Sequence, residues 1–110
     1  MISKETIRQA VDALLKAAPK GSTVILFGSY ARGRGRPDSD LDFLVIEPQV
    51  RNRLREMVRL REVLDEIIGD LLVPADVLVT SRERFEHWRD TPNTVYYQAD
   101  QEGEVYERIA

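Results

Sequence analysis

One stretch constrains this chain more than any other. Val24 to Phe27 is a short apolar run that breaks at Gly28-Ser29. Ten residues later Asp40-Leu41-Asp42 leads into a second apolar run that ends at Ile46. The pattern predicts a strand, a tight glycine turn, a loop and a second strand. Residues two apart on a strand share a face and lie roughly 6.6 Å apart along the chain. Asp40 and Asp42 can therefore aim at one point. At an effective dielectric of 20, two such carboxylates repel by about 2–3 kcal/mol. A hard divalent cation with oxygen ligands is the usual offset. Gly28 and Ser29 follow a strand, so their N–H groups and the hydroxyl can face a phosphate. A phosphate cradle beside paired metal carboxylates is the equipment of phosphoryl or nucleotidyl transfer. The plainer alternative makes Gly28 a turn residue and the aspartates strand-entry residues. The coincidence of all these features in one stretch argues against it.

The rest of the chain supplies the frame. Ser3 can cap a helix reaching about Ala18, with Ile7, Ala10, Val11, Leu14, Leu15 and Ala18 as its apolar stripe. Ala31-Arg32 predicts a short helix start after the turn. Arg32 is the candidate contact to a triphosphate or an acceptor protein, whereas Arg34 and Arg36 read as solvated. From about Val50 to Asp70 a second long helix is expected. Its apolar face is Leu54, Met57, Val58, Leu64, Ile67, Ile68 and Leu71, with Leu60 on the border, and ion pairs cover the rest of its surface. Leu72 to Thr80 predicts a third strand. Asp76 stands inside it, and a carboxylate buried there unpaired would cost several kcal/mol, so it needs a partner or a place at a sheet edge near solvent. Ser81 can cap a short helix carrying Phe85 and Trp88, which Pro92 breaks. Asn93 or Thr94 starts another, Gly103 stops it, and Glu104 to Ile109 can add an edge strand. His87 reads as a surface or partner contact, and Tyr96, Tyr97 and Tyr106 as packing.

Composition narrows the classes. A chain of 110 residues with 43% hydrophobic and 32% charged content predicts one domain over residues 1–110 with a single core. No apolar run approaches the ~20 residues a bilayer requires. The N-terminus lacks a signal-like apolar segment, so a cytoplasmic place is expected. Without Cys and with one His, disulfides, thiolate sites, Cys nucleophiles and a His-based zinc site drop out. Net charge is −3, unevenly spread. Residues 1–61 hold twelve Lys and Arg against seven Asp and Glu, and residues 62–110 hold four against twelve. The basic half contains the proposed phosphate site, and the acidic half can face a basic partner or simply water. The negative total argues against direct nucleic-acid binding.

Gly-Ser, ten residues, then Asp-x-Asp between two strands resembles the signature of the polymerase-β-like nucleotidyltransferase superfamily. The fuller string from Phe27-Gly28-Ser29-Tyr30-Ala31-Arg32-Gly33 to Ser39-Asp40-Leu41-Asp42-Phe43-Leu44-Val45 resembles the minimal nucleotidyltransferase (MNT) antitoxins encoded beside HEPN ribonuclease toxins. The resemblance implies an α+β fold, the polymerase-β-like nucleotidyltransferase core, with a small mixed sheet mostly of three adjacent strands, backed by helices and carrying the site on its open face. It implies Asp76 as the third acidic residue, helping to hold metal and accepting the proton of the attacking hydroxyl. Asp40, Asp42 and Asp76 would then be the catalytic and metal-holding residues for two Mg²⁺ ions. Gly28 and Ser29 would hold the β- and γ-phosphates of ATP, with Arg32 beside them. The implied activity is adenylyl transfer to a tyrosine of a HEPN toxin, in a hetero-oligomer in which the partner completes the acceptor site. Two alternatives stay open: an antitoxin that neutralises by binding alone, and a small-molecule nucleotidyltransferase.

Overall fold

A computed structural model of the chain describes residues 2–28, 40–71 and 74–107. Four side-chain caps start its four helices. Ser3 accepts from the Thr6 N–H ahead of α1 (Lys4–Ala17), and Asn52 accepts from the Arg55 N–H ahead of α2 (Arg53–Ile68). Ser81 accepts from the Arg84 N–H ahead of α3 (Arg82–Trp88), and Thr94 accepts from the Tyr97 N–H ahead of α4 (Val95–Glu102). Each satisfies one of the donors that a helix start leaves without an intrahelical partner. Ser3, Ser81 and Thr94 match the sequence expectation. Asn52 moves the start of α2 three residues past Val50, and the helix ends in a 3₁₀ turn at Gly69–Leu71.

The strands are β1 (Thr23–Phe27), β2 (Leu41–Glu47), β3 (Ala75–Ser81) and β4 (Glu104–Glu107), in spatial order β3-β2-β1-β4. β1 runs antiparallel to β2 and to β4, while β2 and β3 are parallel. A parallel pair needs a long crossover, and α2 supplies it. The mixed sheet and α+β class are those expected. The fourth strand is the edge strand expected from Glu104, and Gly103 lets α4 turn straight back into it along β1. A Cβ on Gly103 would collide with the Ile25 side chain and the Ala99 carbonyl.

Helices cover both faces, so the expected open face is corrected. Alternation along the strands sends Val24, Leu26, Leu41, Phe43, Val45, Val77 and Val79 towards α1 and α2. Ile25, Phe27, Leu44 and Ile46 pack instead with Phe85 of α3 and Ala99 of α4. α1 buries Ala10, Val11, Leu14 and Leu15, the stripe its spacing predicts. α2 departs from its prediction. Leu60, Leu64 and Ile68 are its buried residues, while Leu54, Val58, Ile67 and Leu71 are exposed. Too many apolar positions circle this helix for one core-facing arc to take them all, and packing selected the stripe centred on Leu60.

The far end of β2 holds a buried acid. Glu47 is 2% exposed, hydrogen-bonds the Glu56 side chain, and leaves its Oε2 without a partner among the described residues. Arg59 grips Glu56 through two bonds of 2.7 and 2.8 Å and also donates to the Ala17 carbonyl at 2.9 Å, tying α2 to the end of α1. Burial first, then the Glu56 hydrogen bond and charge, push the Glu47 carboxyl from 4.5 up to about 8. The Arg59 hydrogen bond holds Glu56 down at about 2. Between 4.5 and about 8 the folded chain therefore keeps a proton that the unfolded chain releases, and stability falls as pH rises through that window. Glu56 acts oppositely. Its contribution is full above the ordinary glutamate range and is lost as pH falls towards 2. Glu47→Gln keeps the shape and a donor but removes the titration. Urea melts at about pH 5 and about pH 9 should show the wild type losing stability at the higher pH and the variant losing much less.

Candidate active site

Register places the acidic residues. Asp42 lies opposite Phe27 on one side and opposite Asp76 on the other. Directly paired residues point to the same face, and neighbouring strands are about 4.8 Å apart. Asp42 and Asp76 are thus brought together across a strand boundary, at the end of the sheet where β1 finishes and β2 and β3 begin. Asp40 stands two residues before Asp42, exposed and just outside β2. Burial, then the charge of Asp76, then that of Asp40, raise the Asp42 carboxyl above its usual value. Both neighbouring carboxylates therefore act on Asp42.

Gly28 completes this corner. Its φ is +83°, a conformation that side-chain-bearing residues rarely adopt. A Cβ there would lie 2.6 Å from Asp42 Oδ2. Glycine is needed both for the turn and for room beneath the carboxylate. Of the other residues the sequence singled out, Ser29 and Arg32 lie outside the described residues, as do Arg34, Arg36 and the short helix expected from Ala31.

Asp76 resolves its apparent conflict by position. β3 is an edge strand, so the Asp76 side chain is 67% exposed despite its apolar neighbours. It also has a partner. Arg61 Nη1 stands 3.6 Å from Asp76 Oδ1, and Arg61 Nε stands 3.4 Å from Asp65. Arg61 belongs to α2 and reaches across the sheet edge. Sequence spacing could suggest only its Asp65 contact, one helical turn away. Two exposed groups in such a pair are weakly held, so Asp76 is readily redirected.

The donor chemistry fits a hard divalent cation: three carboxylates close in space, with Asp42 raised by burial and by the charges of Asp76 and Asp40. Among the described residues no three acidic side chains are already drawn into a metal cage. Asp76 is engaged with Arg61. His87 takes no part and sits edge-on against Trp88 at the surface.

With this geometry in place, the comparisons with known proteins are specific. Residues 5–105 match the nucleotidyltransferase domain family. A protein of Methanocaldococcus jannaschii, provisionally named a protein adenylyltransferase, is 37% identical over 65 residues, 59% of this chain and 67% of that protein. A solved structure, provisionally described as a minimal nucleotidyltransferase, superposes with a TM-score of 0.62 at 30% identity, covering 94% of this chain and 95% of its own. A toxin–antitoxin structure solved with AMP-PNP superposes at 0.63, covering 97% of this chain and 75% of its own. At 18% identity it shows the fold alone. The chain belongs to the nucleotidyltransferase domain family, and its mixed sheet matches the minimal nucleotidyltransferase fold.

Two expectations follow for this corner. Gly28→Ala should cost about 1–2 kcal/mol in urea denaturation from backbone strain. By pushing on Asp42 it should also cut nucleotidyl transfer at least ~10-fold. Asp42→Asn removes a repelled charge without changing shape. In chelator at neutral pH its urea midpoint should lie above that of the wild type. Added Mg²⁺ should stabilise the wild type and leave the variant unmoved.

Proposed function

We propose that the chain, read as one minimal domain over residues 1–110, transfers AMP from ATP to a tyrosine hydroxyl of a HEPN ribonuclease toxin and so silences it. The observation that carries this reading is the register of Asp42 against Asp76, with Gly28 giving Asp42 its room. Family membership supports nucleotidyl transfer. The name of the Methanocaldococcus jannaschii relative supports a protein acceptor. The structural neighbour's toxin–antitoxin setting and its ATP analogue agree with the partner and the nucleotide.

In this reading Asp40, Asp42 and Asp76 would hold two Mg²⁺ ions, whose charge would offset that of the phosphates. The Gly28 N–H and the Ser29 N–H and hydroxyl hold the β- and γ-phosphates, and Arg32 lies against the triphosphate. Asp76, the most solvent-facing of the paired acids, takes the proton of the tyrosine hydroxyl. The tyrosine oxygen then bonds to the α-phosphorus, the bond to the β-phosphate oxygen breaks, and pyrophosphate leaves. The protein positions the reactants and forms no covalent bond with them. The setting is a hetero-oligomer with the toxin in the cytoplasm. Among the described residues no helix is long and apolar enough to cross a membrane.

The test is the intact mass of the co-expressed ribonuclease after incubation with ATP and Mg²⁺. AMP-sized mass steps are expected with the wild type and none with an Asp40→Ala, Asp42→Ala double variant. An unchanged mass with ribonuclease activity still suppressed would assign neutralisation to binding alone.

A further inference from the structure

The outer edge of β3 borders a groove that this reaction leaves unused. It has a volume of about 300 Å³. One wall is α2, with Leu54, Met57 and Val58; the other is the edge of β3, with Leu78. Leu54 is 72% exposed and Val58 54%, high values for large apolar side chains one helical turn apart. The β3 wall is an unpaired strand edge among the described residues. The Leu41 N–H donates to the Pro74 carbonyl at 2.9 Å. The alternation that follows turns the backbone groups of Ala75, Val77 and Val79 away from β2. Among the described residues no strand pairs with them. At one end of the groove stands Asp76, with Arg61 reaching over it.

We propose that this groove receives an extended segment of the acceptor protein and leads its hydroxyl to the carboxylates. The proposal rests on the transfer reading above. Three features specify the occupant. First, Asp76 is both the end of the groove and the register partner of Asp42, so a chain lying here runs into the reaction site. Second, the length fits. Leu54 to Arg61 spans roughly 10 Å of helix, the reach of about three extended residues, which leaves the next residue at Asp76. Third, charge selects composition. Glu62 and Asp76 line the groove against Arg61, which already contacts Asp76 and Asp65, so the acidic balance favours a segment that mixes apolar with basic side chains. Free backbone groups on β3 can pair with such a segment, as exposed sheet edges do with extended peptides.

The test uses Leu54→Asp and Val58→Asp, separately and together. Both positions are exposed, and unchanged thermal midpoints verify folding. Val105→Asp serves as control, because Val105 is 57% exposed on β4 at the opposite sheet edge. The probe is the purified HEPN ribonuclease, with its binding followed by calorimetry and AMP transfer by intact mass. Binding and transfer should each weaken at least ~10-fold in the groove variants and not in the control, while affinity for a non-hydrolysable ATP analogue stays unchanged. Groove variants that bind and transfer like the wild type overturn the docking proposal and leave the transfer reading standing. Wild-type protein that binds through the groove but adds no AMP supports docking and overturns transfer. Wild-type protein that neither binds nor modifies the ribonuclease overturns both. A wild-type dimer that Leu54→Asp converts to monomer gives the groove to a second copy and overturns the proposal.

Discussion

The pairing of β2 with a strand on each side is the constraint on which the site depends. β1 sets Phe27, and hence Gly28, beside Asp42, and β3 sets Asp76 on the other flank. A slip of one residue in either pairing would turn an acid to the opposite face. What prevents the slip is the core. Leu41, Phe43 and Val45 are fully buried under α1 and α2, and Leu44 and Ile46 under α3 and α4. Burying such side chains is worth about 1.5–3 kcal/mol each, together well above the cost of crowding carboxylates at a solvent-facing strand end. The repulsion is held in place by packing.

The same strand carries an acid at each end, and the two are handled differently. Glu47 is sealed among helices, keeps its proton and leans on Glu56, itself gripped by Arg59. Asp42 is only half-buried and faces two other carboxylates. Burial leads the upward shift of both. Sealing makes Glu47 part of the framework between β2, α2 and α1, while Asp42 keeps access to solvent and to neighbouring acids. The edge position of Asp76 extends this logic, because its carboxylate is held only by a weak surface contact with Arg61.

Much of the framework was legible in the residues. The apolar stripe of α1, the caps at Ser3, Ser81 and Thr94, the first strand and the acidic entry to the second follow from local spacing. Gly28 was legible as a turn, though its second duty, making room for Asp42, needed the β1–β2 pairing. The apolar face of α2 was misassigned in part: Leu60 is buried where a border position was expected, and Leu54 and Val58 are left outside. Helical periodicity gives the arc but not how the helix is rolled against its neighbours. The burial of Glu47 was not legible, since a lone acid beside Pro48 carries no sign of the helix that will cover it.

The sequence by itself determined which segments become strands and helices, the caps of three helices, and that Asp40 and Asp42 stand two residues apart after a glycine turn. These depend on spacings of two to four residues, which chain geometry converts directly into direction. Only the tertiary structure decided that Asp76 completes the pair, that Arg61 reaches it across the sheet edge, and that Leu54 and Val58 line an open groove. Those outcomes depend on strand register and helix roll, which are set by the summed packing of residues far apart in the chain.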